Sequence, residues 1–595
     1  MASIDDIFKN VGVPSKRKLE AIKDPNEIYK SSKLSTNGSS SRRAHVTDAG
    51  DADSNGGADQ DDEAGLAPPP QQDGDDAPDE GEDDEGRFFG GGITAKESEV
   101  LDYVEGAGEA NEDPAKIDVG WMRKTAQNFE KRITKNAELR AKHESEPQKF
   151  ISSEADLDAD VKALSILSEH PELYPEFVKL GCAGNLVGLL AHENTDIAIG
   201  AIEIIGELTD EDVAAADDQW NMLIDALMDV DLVGLLVSNF ARLNEDDETD
   251  RNGVYYALGI VENLCSRPAT AARVGQEDGL LKWLLQRMRR KEPSVSQNKQ
   301  YAAEVLAILC QSTPETRRRI VGHDAVDGML QLIAPYRKLD PDKSGEEEEY
   351  MENVFEALTC LVDEAAGKAK FVEAEGVELC LIMFKEGKKS KAPALRLVDH
   401  ATTGSSSGGA DVCVRLVAAG GLKALFTLFA KTQDHRLLTH LVGIMASMLR
   451  LLPADSPERI RTLAKFVERD YGKTAKLVQL RRDCAARVGR AEDEYRAAGG
   501  AAGGAEDPDE AEMELLARRL DAGLFTLQQL DVSLAWLVAE DGGARRRIKQ
   551  LLAERDEDLG TVAATIKEQL GALDTTDEEN RDVSDMLGTL LEFLR

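Results

Sequence analysis

The sequence of 595 residues lacks several features that would assign it to a class of protein. Its seven cysteines stand singly, without a C-x-x-C pair, which speaks against a disulfide scaffold and favours buried, reduced thiols. No apolar run approaches the roughly 18 residues that a membrane helix needs, and the amino terminus MASIDDIFKN is not typical of a signal peptide. We therefore expect neither secretion nor a membrane partner.

Signatures of catalysis and of cofactor binding are also missing. The glycines around Gly106 lack the third glycine and the flanking strand of a dinucleotide fingerprint, and the histidines show no metal-ligand spacing. Asp399 and His400 adjoin, but neighbouring residues of a helix point in different directions, and no recognisable nucleophile stands near them. The sequence therefore predicts a protein without enzymatic activity, cofactor or bound metal.

Positive charge is scarce relative to negative charge. There are 71 Lys and Arg against 112 Asp and Glu, which gives a formal net charge of -41. Because phosphate groups would be repelled by such a chain, direct nucleic-acid binding is not expected, and basic partners are.

The first 115 residues are rich in Ser, Gly, Asp and Pro and poor in aromatic residues, a composition that predicts a disordered tail. Residues 48–85 contain no Lys or Arg. This acidic run is either a solvated tail or a decoy that competes for the protein's own basic ligands. Lys16, Arg17 and Lys18 form a localisation-type cluster that suits a nuclear import receptor. RFFGGGIT, at 87–94, is either a short docking motif or a loop.

From about residue 116 the apolar spacing becomes helical, and one apolar segment recurs. LVGLL begins at Leu186 and again at Leu232. Related segments begin at Leu281, Met329, Val377 and Leu422, so the intervals are 46, 49, 48, 48 and 45 residues. Each is followed by a loop and a second apolar helix. A unit of this size cannot bury its apolar faces alone, so neighbouring units must stack.

This period predicts an all-α, right-handed solenoid of armadillo type, with HEAT repeats as the close alternative. We expect a helical amino-terminal cap at 116–181, about six repeats at 182–455, and a carboxyl-terminal helical region at 456–595. Within that region, the glycine-rich stretch near 499–512 predicts a flexible insert.

Three long strings are similar to the beta-catenin-like protein 1 family of nuclear armadillo proteins. They are NFEKRITKNAELRAKH from Asn128, HENTDIAIGAIEIIGELTD from His192 and ARRLDAGLFTLQQL from Ala517. The resemblance implies a nuclear, non-enzymatic protein of the pre-mRNA splicing machinery, associated with the nineteen complex. It also implies binding to basic, localisation-type segments of splicing proteins.

In an armadillo array the last helix of each unit lines the concave surface, with exposed positions four residues apart. Aligned copies place acidic or amide side chains at several of these positions: Glu203, Glu207, Asn263, Glu304 and Glu356. The carboxylates suit Lys and Arg heads, and the amide could bind the backbone of an extended peptide. We therefore predict a groove for basic peptides.

A nuclear import adaptor that carries basic cargo is the alternative function. Adaptors of the importin-alpha type line this surface with repeated Trp and Asn, and only Asn263 matches that pattern. Two basic stretches, Gln286–Pro293 and Lys385–Lys391, are interpreted as helix-end charges or as a secondary contact to RNA or to an acidic partner.

Overall fold

The structure, a computed structural model, describes residues 116–342, 345–404, 407–498, 508–573 and 578–595. Every regular element within these ranges is a helix, which confirms the predicted all-α class. The predicted tail, with its localisation-type cluster and acidic run, and most of the predicted insert lie outside the described residues.

Among the described residues, two α-helices precede the repeated units: α1 spans Val119–Lys142 and α2 spans Ile151–Ala163. The Asp118 carboxylate begins α1 by accepting a hydrogen bond of 3.0 Å from the backbone N–H of Trp121. Short 3₁₀ turns between Leu164 and Leu173 then lead into the first unit. Helices α1 and α2 pack against each other, and their buried sides are part of the continuous apolar core.

Six units of three helices follow. Their first helices are α3 (Tyr174–Lys179), α6 (Asp217–Met228), α9 (Pro268–Val274), α12 (Pro314–Gly322), α15 (Ala365–Glu373) and α18 (Ser407–Ala418). Their second helices are α4 (Cys182–Gly188), α7 (Leu232–Arg242), α10 (Asp278–Arg289), α13 (Ala325–Ile333), α16 (Gly376–Glu386) and α19 (Gly421–Lys431). Their third helices are α5 (Thr195–Thr209), α8 (Glu248–Cys265), α11 (Gln297–Ser312), α14 (Glu346–Leu361), α17 (Lys391–Thr402) and α20 (His435–Leu451).

In five of these units the chain turns from the first to the second helix through one left-handed residue. The residues are Gly181, Asp231, Asp324, Glu375 and Gly420, with φ of 73°, 61°, 53°, 57° and 77°. Cβ atoms oppose this conformation, so Gly adopts it at the lowest cost and Asp is among the residues that tolerate it. This corner explains why Gly or an acidic residue stands directly before the second helix in these five units.

The third helices pack on one another in sequence order, from α5 to α20, and we call this series the ladder. Residues on both sides of each ladder helix are buried, among them Ile202, Leu258, Leu306, Leu358 and Ile444. The core is continuous from unit to unit, which is the stacking that the repeat period predicted.

Six helices complete the chain: α21 (Pro457–Ala497), α22 (Pro508–Asp521), α23 (Leu524–Glu540), α24 (Gly542–Ala553), α25 (Leu559–Ala572) and α26 (Glu578–Phe593). As predicted, Ser456 and Pro457 begin α21, and the Ser456 Oγ accepts a hydrogen bond from the backbone N–H of Arg459 at 3.1 Å. Helix α21 is broken at 468–471, where three residues have positive φ. Helix α23 packs on α20 and extends the ladder by one step.

Among the described residues, no single helix is long and apolar enough to cross a membrane. Two pairs meet the length and composition criterion only when both members are counted, and each pair is sharply bent. They are Gly408–Ala418 with Gly421–Lys431, at 88°, and Ala511–Asp521 with Leu524–Glu540, at 66°.

Candidate peptide-binding surface

The first ladder helix, α5, carries two neighbouring carboxylates. Glu203 and Glu207 lie one turn apart and are both partly exposed. The Glu207 carboxylate accepts a hydrogen bond from the Ser165 hydroxyl. Burial, followed by the charge of Glu207, raises the pKa of Glu203, although Lys162 opposes the shift. Within the described ranges, neither carboxylate forms an ion pair. This pair is therefore a place where an added cation would be stabilised.

The next ladder helix, α8, carries a tyrosine, Tyr256, that interacts with these carboxylates. Burial, then the charge of Glu203, raises the pKa of the Tyr256 hydroxyl, with further contributions from Tyr255 and Glu207. The Tyr255 ring also lies 5.1 Å from the ring of Tyr301 on α11, between centroids. An aromatic side chain, Tyr256, therefore lies near the α5 carboxylates, and aromatic faces attract cationic side chains.

Asn263 joins α8 to α5. Its side-chain amide nitrogen donates to the backbone oxygen of Gly206 at 3.1 Å and to the Thr209 hydroxyl at 3.3 Å. From the sequence we predicted that this amide would bind the backbone of an extended peptide. The structure instead shows its N–H groups in contacts that hold two ladder helices together.

Glu304, on α11, was expected to be exposed but is buried. Its side chain is only 8% exposed, and one carboxylate oxygen accepts a hydrogen bond of 2.9 Å from the Gln300 amide. The reason is that α11 packs between α8 and α14, so this turn of the helix is covered from both sides. Glu304 therefore belongs to the interior of the ladder.

Glu356, on α14, forms an ion pair within the ladder. Arg396 on α17 lies at the aligned position of the next unit, and its Nη2 is 2.7 Å from the Glu356 Oε2. The two side chains are both partly buried. Because its charge is already compensated, Glu356 differs from the two carboxylates on α5.

Two histidines complete the carboxyl-terminal half of the ladder. The Nδ1 of His400 lies 3.1 Å from the Oδ1 of Asp363, just after α14, and the Nδ1 of His440 lies 3.0 Å from the Oδ2 of Asp399. Burial raises the pKa of Asp399, and the hydrogen bond from His440 opposes that shift. Each step from α14 to α20 is therefore joined by a polar pair.

Several residues of this surface were not identified from the sequence: Tyr255, Tyr256, Asp363, Asp399 and His440. Most lie within three or four positions of an aligned ladder position, so extending the alignment by one helical turn would have included them. No such signal distinguishes a carboxylate that faces solvent from one that meets a cation on the next unit.

The two basic stretches bridge neighbouring units. Arg287 is buried, and its Nη2 lies 2.8 Å from the Glu245 carboxylate, while the Nζ of Lys389 lies 2.7 Å from that of Glu348. Arg289 donates to the backbone oxygen of Asp324 at 3.0 Å. These contacts support the interpretation as structural charges over that of a nucleic-acid contact.

The seven cysteines are all free, and six are buried, while Cys360 is partly exposed. Burial raises the pKa of the Cys182 thiol to about 11, and similar shifts affect the other cysteines that lie in the core. Among the described residues, no group of three or more His, Cys, Asp or Glu side chains could hold a metal ion.

The chain is similar in sequence to a family of known proteins. Residues 98–567 match a family model described as catenin-beta-like, Arm-motif containing nuclear. A beta-catenin-like protein 1 homolog of Schizosaccharomyces pombe is 37% identical over 499 residues, which cover 84% of this chain and 86% of that protein. Human beta-catenin-like protein 1 is 35% identical over 465 residues, which cover 76% and 82%.

Solved structures also resemble the chain. The crystal structure of an engineered protein aligns over 74% of this chain and 95% of its own, with a TM-score of 0.45 and 15% sequence identity.

Proposed function

Because the chain belongs to the catenin-beta-like family of nuclear proteins with Arm motifs, we propose that it binds basic segments of nuclear proteins through its ladder. The family is one of armadillo-repeat interaction proteins, and the chain is in our proposal a non-enzymatic scaffold. Its direct partners are localisation-type segments of splicing factors, and it acts in the nucleus with components of the nineteen complex.

The observation that carries this proposal is the carboxylate pair of Glu203 and Glu207. Most acidic side chains of the ladder already contact a cation or a hydrogen-bond donor of the chain itself. Glu203, by contrast, has a raised pKa from burial and from its neighbour and, in the described part of the chain, no ion-pair partner. A Lys or Arg head placed between these carboxylates would remove their mutual repulsion and form charge-assisted hydrogen bonds.

The aromatic border adds a second reason to favour Lys and Arg. The long aliphatic stems of these residues pack on apolar surface while the charged head reaches a polar group. Tyr256 lies near the α5 carboxylates, so the stem of a bound Lys or Arg would have an aromatic neighbour while its head contacts the carboxylates.

The amino-terminal tail has a separate role in this proposal. Lys16, Arg17 and Lys18 are the segment that an import receptor would bind, so the chain enters the nucleus as cargo and does not act as an adaptor. Measuring the nuclear fraction of a fluorescent fusion tests this, because changing all three residues to Ala should leave the fusion in the cytoplasm.

Fluorescence anisotropy of the full chain with a labelled Lys/Arg-rich peptide tests the ladder. We expect Glu203→Gln/Glu207→Gln to weaken binding by about tenfold, since each partly exposed charge pair contributes up to about 1 kcal/mol and the two together contribute roughly 1.4 kcal/mol. Binding to wild type should also weaken as salt is raised.

A matched control is available on α6. Asp225→Asn/Asp229→Asn removes the same two charges at the same spacing, but on a first helix and outside the ladder. We expect this variant to bind like wild type. Equal losses in both variants would attribute binding to the overall negative charge, and an unchanged affinity in the Glu variant would place the peptide elsewhere.

A further inference from the structure

The acidic residues in the two halves of the ladder have different partners. In the carboxyl-terminal half, Glu356 contacts Arg396 at 2.7 Å, Asp363 contacts His400 at 3.1 Å and Asp399 contacts His440 at 3.0 Å. Each of these acidic groups thus has a basic partner from the following ladder helix.

The amino-terminal half has no such arrangement on α5. Both Glu203 and Glu207 interact with Tyr256 of α8, and the basic side chain that influences Glu203, Lys162, is itself paired with Asp158 at 2.6 Å. The step from α5 to α8 is joined instead by Asn263, which is neutral and leaves both carboxylates uncompensated. In the amino-terminal half, the carboxylates of α5 would therefore be compensated only by a cation from a ligand. In the carboxyl-terminal half, the chain itself supplies the basic partners.

We propose that the ladder recognises a ligand with a single basic cluster, and that Arg396 sets this limit by occupying the position that a second cluster would need. The proposal rests on the function proposed above and specifies its ligand. Arg396 is the residue to test because it is permanently charged, whereas the charge of each histidine depends on pH.

The geometry also gives the spacing at which a second cluster would have to lie. From α5 to α14 the ladder advances by three helices, each step being roughly 10 Å between packed helices. An extended chain covers about 3.3 Å per residue, so clusters about nine residues apart would reach the two halves.

The experiment compares peptides of equal length on the full chain by fluorescence anisotropy. Two peptides carry one Lys/Arg cluster, at either end, and a third carries both clusters with a nine-residue neutral spacer. For wild type we expect the two-cluster peptide to bind at most about twofold tighter, because its second cluster only offers another way to fill the same site.

Arg396→Gln should change this result. The substitution keeps most of the side-chain stem but removes the charge, so Glu356 becomes available to a ligand. We expect the two-cluster peptide then to bind about tenfold tighter than either one-cluster peptide. Arg396→Lys, which keeps the charge, should behave like wild type.

Arg415→Gln is the matched control. Arg415 contacts Glu378 at 2.5 Å, also between two helices and with similar exposure, but off the ladder. It should leave the comparison unchanged. Thermal unfolding of both variants establishes that each is folded.

The outcomes distinguish a failure of this inference from a failure of the proposed function. If wild type already binds the two-cluster peptide much more tightly, or if Arg396→Gln produces no gain, the single-cluster limit is wrong while basic-peptide binding stands. If no one-cluster peptide binds wild type, the proposed function itself fails.

Discussion

At the scale of single residues, the absence of one methyl group allows a polar pair to form. A Cβ atom at Gly443 would lie 2.2 Å from the Oδ1 of Asp399, closer than any real contact. Asp399 is partly buried and is held by His440, which lies on the same helix as Gly443. The glycine therefore lowers the helix propensity of α20 but allows α17 to approach it closely.

We expect Gly443→Ala to lower the free energy of unfolding by about 1–3 kcal/mol, because Asp399 must move away from His440. Gly489 on α21 is the matched control, since a Cβ there meets nothing within 4 Å. Gly489→Ala should raise stability by about 0.5–1 kcal/mol through helix propensity alone. Urea denaturation measures both, and equal effects in the two variants would contradict the role of the glycine.

His400 makes a second prediction at this scale. Burial lowers its pKa, but the hydrogen bond that its ring N–H donates to Asp363 and the charges of Asp363 and Asp399 outweigh that effect, so its pKa in the folded protein is raised above 6.5. Such a group stabilises the fold fully below its unfolded pKa, and this contribution is lost as the pH rises through the folded pKa. The stability difference between wild type and His400→Gln should therefore be larger at about pH 6 than at about pH 9. Urea denaturation at both pH values checks this, and a pH-independent difference would contradict it.

At the scale of helices, long basic side chains contact the carboxyl-terminal ends of other helices. The Nζ of Lys368 donates to the backbone oxygen of His400 at 2.9 Å, and that of Lys476 donates to the backbone oxygens of Phe429 and Thr432. The last carbonyl groups of a helix have no partner within it, and cations also interact favourably with its dipole. These contacts join α15 to the end of α17, and α21 to the end of α19.

Arg459 is another buried member of this group and gives the prediction for this scale. It is 6% exposed, donates to the backbone oxygen of Leu452 at 2.6 Å and pairs with Glu540 on α23. Arg459→Ala should cost about 3–5 kcal/mol, because the Glu540 charge and the end of α20 lose their partner together. Arg461→Ala, at an exposed position two residues away, should change stability by less than about 0.5 kcal/mol. Similar thermal shifts in the two variants would refute this assignment.

The helices that the sequence predicted best are the second and third of each unit. Their apolar segments are long enough to repeat recognisably, whereas first helices such as α3 and α9, of six and seven residues, are too short to show a full helical period. The site was predictable to the same degree. Alignment identified Glu203 and Glu207, but the pairing of Glu356 with Arg396 depends on the distance between two helices, which a repeat period does not contain.

At the scale of the whole chain, the sequence pattern changes near residue 456, as expected. The helices on the two sides of this boundary nevertheless pack against each other. Helix α23 continues the ladder on α20, although its sequence does not repeat the earlier units. In solenoid proteins a terminal unit must cover the apolar face of its neighbour. The carboxyl-terminal helices therefore cap the array.

A chain of residues 116–455 tests this role against one of residues 116–595. Truncation would uncover buried apolar side chains of α20, among them Leu438 and Val442, which line a small cavity together with Leu480 of α21 and Leu530 of α23. Because the exposed face has no other partner, we expect the shorter chain to unfold at least about 5 °C lower in calorimetry and to self-associate in sedimentation. Equal melting temperatures and a monomeric short chain would instead mean that the repeats and the carboxyl-terminal helices are independent domains. In that case the ladder would end at α20, and the contacts of α23 would add little to its stability.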